Sequence, residues 1–372
     1  MKKVIIVNDV AASFGGALNI LKQFLNEISN NIKAKKYDWY IFVSNNLVDN
    51  YNCDHVKIVK VDMKLWPKRI IWDTFGVKKF LKKNDLDPIY AISLMSVGFK
   101  FLKTKQIVYI HQSLPFDDFN SFKWFEIKSI LYKFFIFIWM KWTINKQGKI
   151  IVQTNWLKEA VSNKLNIEKK NIFVIRPEIK LFNFLLSKNN KLDLDFEYKL
   201  FYPSIPTVSY KNYDILFSSL SLIKKNNPEL FNNLKLVLTC SDNDKNKLAK
   251  YYIRQSQKLG LENNIIWAGH LNKSEMEEQY LSCDAVVFPS LTESFGLPLI
   301  EASVLGKKIF VQDKPYARDV LKNYSGVSFI KNNESLWAKE IIDFYSRLPK
   351  TFDPFIQKNG EWSKFIELTL TS

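Results

Sequence analysis

The chain has 372 residues, 47% of them apolar and 24% charged, which suffices for two α/β cores and excludes general disorder. Its three cysteines, Cys53, Cys240 and Cys283, have no close spacing, so neither a disulfide framework nor a thiolate metal site is implied and a reducing compartment fits. The net charge of +17 is uneven, with 30 Lys and Arg against 15 Asp and Glu in residues 1–180 but 24 against 22 in residues 181–372, so the first half calls for an acidic partner.

The opening MKKVIIVNDV has only a short apolar run before Asn8 and Asp9, which predicts a first strand at Val4–Val7 and no signal peptide. Ser13-Phe14-Gly15-Gly16 then leads into a helical run from Ala17 to Ile28. Glycines at such a strand-to-helix turn let backbone approach a ligand beside a helix N-terminus. Further strands are predicted at Trp39–Val43, Val56–Val61, Ile89–Ser93, Gln106–Ile110, Lys149–Val152 and Ile172–Ile175, alternating with helical patterns. That alternation is the signature of a parallel, doubly wound sheet, here over residues 1–180. His111 ends one of these strands and is followed by Gln112-Ser113-Leu114-Pro115, which aims its ring off a strand end. The other histidines, His55 and His270, are remote in sequence, so His111 does not suggest a metal site.

Between Phe122 and Lys149 six lysines (Lys123, Lys128, Lys133, Lys141, Lys146, Lys149) are mixed with Trp124, Phe125, Phe134, Phe135, Phe137, Trp139 and Trp142, and the one acid is Glu126. A basic, Trp- and Phe-rich stretch seeks an anionic membrane interface. Its longest apolar run, Phe134 to Met140, is far short of the roughly 20 residues that span a bilayer. The competing reading is a core helix whose lysines reach outward.

Residues 181–198 lose periodicity and read as a linker, and a second strand series follows in residues 199–354: Lys199–Tyr202, Leu234–Thr239, Asn264–Trp267, Ala285–Phe288, Lys308–Val311 and Val327–Phe329. Ligands of open α/β sheets bind beyond the carboxyl ends of the strands, so two such domains make a cleft where strand-end motifs converge. Residues 355–372 contain a final helical pattern, and Arg176 and Glu178 stand at a strand end. Three Asp-x-Asp triplets occur, at Asp85/Asp87, Asp193/Asp195 and Asp242/Asp244. The last reads as helix caps and the second falls in the linker, so no metal is assigned to them. Thr154, and Ser274 with Glu277 as a capping box, read as helix starts.

The densest signal is Glu293 to Ala302, ESFGLPLIEA, after the buried strand pattern Asp284 to Pro289 and before a helix that opens with Pro298. Two carboxylates, Glu293 and Glu301, thus flank a glycine turn at Ser294-Phe295-Gly296-Leu297. Free amides at the helix start suit a phosphate, and Glu301, one turn in, can accept hydrogen bonds from ribose hydroxyls.

This motif, with Trp267-Ala268-Gly269-His270 before it and Gly306 to Val311 and Arg318 to Leu321 after it, resembles glycosyltransferase family 4. The resemblance is close over residues 262–321 and one of layout elsewhere. It implies an α/β chain of GT-B fold, two doubly wound Rossmann-like domains facing an interdomain cleft, with the last helix crossing back to the first domain. It also implies a retaining, metal-independent transferase that needs no cofactor and takes a nucleotide sugar as substrate. Catalytic roles are then expected for His111 on the transferred sugar, Lys211 on the diphosphate and Glu293 on the sugar hydroxyls. Donor binding falls to Gly15, Gly16, Thr207, Ser294, Phe295, Gly296, Leu297 and Glu301. The family carries an arginine shortly before the lysine, whereas Tyr202 to Lys211 contains none and Thr207 stands near that place, supplying a hydrogen bond but no charge. Arg176 is a candidate substitute.

Together with the basic first half, these implications point to a peripheral protein on the inner face of the cell membrane that serves a membrane-bound or lipid-linked acceptor in surface polysaccharide or glycolipid synthesis. The rivals are an epimerase of the same fold and a basic nucleic-acid binder. No helix-turn-helix, zinc or RNA-binding motif supports the latter, so no nucleic acid is expected.

Overall fold

A computed structural model describes residues 2–13, 15–63, 66–118, 122–179, 198–241, 246–347, 352–355 and 360–370. The strands are β1 Lys3–Asn8, β2 Tyr37–Val43, β3 Val56–Lys60, β4 Pro88–Ser93, β5 Lys105–Ile110, β6 Lys149–Val152, β7 Ile172–Val174, β8 Tyr198–Tyr202, β9 Leu234–Leu238, β10 Ile265–Trp267, β11 Ala285–Phe288, β12 Lys308–Gln312 and β13 Val327–Ile330. They form two sheets of order β3-β2-β1-β4-β5-β6-β7 and β10-β9-β8-β11-β12-β13. Every ladder within them is parallel. Parallel strands are covered on both faces, and the sequence shows it as runs such as AVVF in β11, all four residues buried. The winding direction reverses between β1 and β4 in one sheet and between β8 and β11 in the other. Just beyond the carboxyl ends of those central pairs, diverging loops leave a crevice.

The chain divides into two compact units, residues 1–117, 131–178 and 359–372 in the first, and 118–130 with 179–358 in the second. In the first unit the helix Gly15–Asn30 buries Ile20, Leu21, Phe24, Leu25 and Ile28. The helix Trp362–Leu370 packs beside it, with Trp362 and Phe365 meeting the Phe24 ring edge-on at 6.0 and 5.4 Å. Gln23 joins this assembly by accepting from Trp362 Nε1 at 2.8 Å and exchanging bonds with the backbone of Glu178. The backbone amide of Glu361 donates to the carbonyl of Arg176.

Local differences from the sequence reading have simple causes. The helix Lys273–Ser282 is capped by Asn272, whose side chain accepts from Glu275 N while Glu275 bonds back to Asn272 N, so the capping box is not Ser274 with Glu277. Ser274 donates to the Asn272 side chain instead, and Glu277 pairs with Lys273 at 3.5 Å. Asp85 and Asp87 lie in the turn before β4, at the amino ends of the strands. Asp193/Asp195 and Asp242/Asp244 lie outside the described residues.

Candidate active site

In the second unit the two loops that leave the central pair, one after β8 and one after β11, are stitched together. Tyr202, the last residue of β8, donates its hydroxyl to the Lys211 carbonyl at 2.6 Å, and Leu291 N donates to the Tyr210 carbonyl at 2.8 Å. Asn212 takes the left-handed conformation at φ 57° and donates to Pro289 O and Asn332 Oδ1, which ties in the loop after β13. Tyr316 donates to the Ser290 carbonyl at 2.7 Å. The site therefore rests on a framework of buried backbone bonds.

On this framework Lys211 Nζ meets Glu293 Oε1 at 2.6 Å, with the side chains only 18% and 17% exposed, and Ser290 Oγ donates to the same oxygen at 2.8 Å. Burial works against the Lys211 charge, but Glu293, Tyr210 and Tyr202 outweigh it and hold the ammonium above its ordinary pKa. It is a fixed cation at any physiological pH.

Gly296 has φ 78°, the left-handed region that suits glycine, and a Cβ there would come within 3.2 Å of Leu299 Cδ1. The helix Leu297–Val304 starts immediately after it, with Pro298 in its first turn and the Leu299 amide bonded to the Gly296 carbonyl at 2.9 Å. The Phe295 side chain is buried at 2% exposure, which leaves its backbone as the part able to meet a ligand. Glu301 accepts from Tyr280 OH at 2.7 Å. Burial raises the Glu301 pKa, and the tyrosine bond partly offsets that.

Glu126, the single acid of the basic stretch, has a role the sequence reading missed. It is buried in the second unit and accepts from both the amide and the hydroxyl of Ser209, which opens the turn that ends at Lys211. Lys123 is engaged there too, with Asp214 at 2.9 Å and over the Tyr251 ring at 4.8 Å. Thr207 is exposed in the same loop, four residues before Lys211, and its amide bonds to Ile205 O.

In the first unit Gly15 opens its helix at φ 60°, and the space above both Gly15 and Gly16 is open. His111 stands directly after β5, its amide bonded to Ser96 Oγ at 3.1 Å. Burial pushes its imidazole down to about 4, so the ring is neutral near pH 7, with one nitrogen to donate and one to accept. The reading from sequence also missed a polar cluster beyond β1: Asn8 donates to Asp73 Oδ1 at 2.7 Å and accepts from Trp72 Nε1 at 3.1 Å, and Asp9 is buried beside them in the chain. A larger depression of about 760 Å³, lined by Lys2, Lys35, Cys53 and His55 among others, lies at the amino ends of the strands, away from this chemistry. Among the described residues, no group of three or more His, Cys, Asp or Glu side chains is arranged to hold a metal ion.

Comparison with known proteins matches residues 187–354 to the family described as glycosyl transferases group 1. The match takes in a little under half of the chain. Every residue from Thr207 to Glu301 that the sequence assigns to donor binding falls inside it. The O-antigen chain mannosyltransferase RfbU of Salmonella typhimurium is 21% identical over 255 residues, a match that takes in 68% of this chain and 64% of the relative. Among solved structures, WaaG, a glycosyltransferase involved in lipopolysaccharide biosynthesis, superposes with a TM-score of 0.65 at 12% identity, over 92% of this chain and 90% of its own. HepE of Anabaena, solved in complex with UDP and glucose, gives 0.63 at 14% identity over 93% and 90%. At such identities the shared property is the fold, two parallel-sheet Rossmann-like units of the GT-B glycosyltransferases.

Proposed function

We propose that this chain is a retaining, metal-independent glycosyltransferase of family 4 that moves a sugar from a nucleotide-sugar donor to a membrane-associated, lipid-linked saccharide in surface polysaccharide or lipopolysaccharide assembly. The observation that carries this reading is the pairing of Lys211 with Glu293 across the reversal point of the group 1 domain, with Glu301 one helical turn beyond. In this reading Lys211 and the amides from Ser294 to Leu297 stabilise charge as it develops on the leaving diphosphate. Glu293 orients the transferred sugar, Glu301 holds the ribose and His111 bonds the sugar from the acceptor side. The printed description of HepE, a complex with UDP and glucose, supports a nucleotide sugar as donor. The names of RfbU and WaaG support surface saccharides as the setting.

The membrane part of the proposal rests on the helix Ile127–Thr143. Its buried residues are Ile136, Met140 and Thr143, while Leu131, Phe134, Phe135, Ile138 and Trp142 are exposed. A core helix would bury those side chains; an interfacial one presents them. No helix of the described residues is long and apolar enough to cross a membrane.

A panel of UDP-, GDP- and TDP-sugars, tested for hydrolysis and binding, examines the reading directly. Parent protein should turn over at least one donor with retention at the anomeric carbon and without loss on chelation. Lys211→Ala should lower that rate by about a hundredfold. Inversion, or activity lost to a chelator and restored by manganese, would refute the mechanism, and failure with every donor would refute the function.

A further inference from the structure

The turn that carries Lys211 in the second unit has no cap of its own. Ser209–Lys211 is a single 3-10 turn entered from Val208, whose side chain cannot accept a hydrogen bond. The Ser209 amide is the first of the turn and finds no acceptor inside it, and Ser209 is only 5% exposed, so water is a poor substitute. Glu126, 83 residues earlier and 7% exposed, supplies what is missing: Oε1 accepts from the Ser209 amide at 2.9 Å and Oε2 from the Ser209 hydroxyl. Oε2 also accepts from the Lys123 amide at 2.7 Å, which orients the carboxylate. The turn thus borrows its N-cap from a distant part of the chain.

The same short segment holds the other side of Lys211. Lys123 Nζ pairs with Asp214 Oδ2 at 2.9 Å and donates to Tyr251 OH at 3.3 Å, and Asp214 lies in the first turn of the helix Tyr213–Asn226. Tyr252 OH donates to the same Asp214 oxygen at 3.1 Å. Residues 118–130 belong to the second unit, and within it Lys123 and Glu126 bracket Lys211 at Asp214 and Ser209. Between those two points Lys211 N donates to Val208 O at 3.1 Å and Asn212 N to Ser209 O at 2.9 Å, which closes the turn.

An ammonium that stabilises a leaving group works only in register, and a misplacement of about 1 Å costs about a hundredfold in rate. Without Glu126 the Ser209 amide is left buried and unpaired, and the first half of the turn is free to open. Its second half stays tied through Tyr202 and Asn212. The displacement at Nζ is therefore a fraction of that ångström, and the cost about tenfold.

Building on the function proposed above, we propose that Glu126 is a positioning residue for sugar transfer, which sets the turn from Ser209 to Lys211 so that the Lys211 ammonium meets the leaving diphosphate, with Lys123 as a second anchor at Asp214. One test needs no donor. Hydrogen exchange in Glu126→Ala should speed by about tenfold or more at the Ser209, Lys211 and Asn212 amides and stay unchanged in β8 and β11, with cooperative thermal unfolding as the check on folding. Glu126→Gln, which keeps an oxygen for the Ser209 amide, and Ser209→Ala, which drops only the hydroxyl bond, should each give a smaller change in the same direction, and they carry the test if the alanine variant does not unfold cooperatively. Unchanged exchange at the turn, or acceleration spread through β8 and β11 as well, would overturn the proposal whether or not a donor is found. The second test uses whichever donor the parent turns over. Glu126→Ala should lower kcat by about tenfold while donor KM changes less than about twofold, since the contact acts on charge that develops in the transition state. In a Lys211→Ala background the same substitution should cost almost nothing further, because no ammonium is left to position. A kcat loss that persists in that background, or a loosened turn with kcat intact, would overturn the positioning role. Failure with every donor would overturn the function and with it the catalytic half of this proposal, and the exchange result alone would then decide whether Glu126 holds the turn.

Discussion

The Lys211–Glu293 pair makes a quantitative claim that does not depend on knowing the donor. Glu293→Gln keeps the shape and the bond from Ser290 but removes the charge that outweighs burial at Lys211. With both side chains about four-fifths buried, the loss lies between that of an exposed pair and the 3–5 kcal/mol of a fully buried one, so about 2–3 kcal/mol is expected. Lys211→Met should cost a similar amount by orphaning the carboxylate. The double variant leaves no orphan charge and should therefore cost less than the two singles combined, with a coupling of about 1–3 kcal/mol. For a domain of this size each kcal/mol moves the melting temperature by about 2–4 °C, which calorimetry resolves easily. The pH dependence has a definite sign. In the parent the raised lysine pKa gives stability that is whole below the ordinary lysine value and lost only above it. In Glu293→Gln burial loses its largest opponent and the folded pKa drops, so the deficit should shrink as pH approaches 10. Single costs below about 0.5 kcal/mol, or additivity within that margin, would show that the contact carries no energy and would remove the argument for a preorganised cation.

Two other outcomes follow from buried acids. Moving the Asp73 pKa from 3.8 to about 7 favours the folded state only while the group is protonated, so stability should fall by about 4 kcal/mol as pH rises from 4 to 8. Asp73→Asn should accordingly match the parent near pH 4 and exceed it at pH 8 in denaturant titrations; a difference independent of pH would contradict this. Tyr280→Phe removes the bond that opposes burial at Glu301, so the carboxyl should protonate at higher pH. Nucleoside diphosphate affinity, measured calorimetrically, should then begin to fall at higher pH in the variant than in the parent, and coincident pH profiles would count against Glu301 as the ribose ligand.

The central strands were legible because parallel sheets demand continuous apolar runs, and VIIV in β1 or AVVF in β11 satisfies little else. The turn at Gly296 was legible for the same local reason, since glycine, proline and a helix start lie within three residues. What escaped the sequence was long-range. Glu126 and Ser209 are 83 residues apart, and Asn8 and Asp73 are 65 apart. Nothing in either neighbourhood marks them as partners, and a lone acid in a lysine-rich helix start looks like solvent-facing decoration. The capping box slipped by two residues because Asn272 and Ser274 are both good caps and only backbone geometry chooses between them.

The interleaving of the two units bears on how the protein is made. The first unit's core brings Trp362 and Phe365 against Phe24, so contacts that complete it join residues more than 300 positions apart. During synthesis, the aromatic groove around Phe24, Trp39 and Tyr109 must wait for nearly the whole chain to emerge, while most of the second unit, within residues 179–358, can fold beforehand. Nascent chains stalled before Trp362 should therefore expose a sticky, unfinished first unit beside a completed second one, and that interval is where chaperone engagement is to be expected.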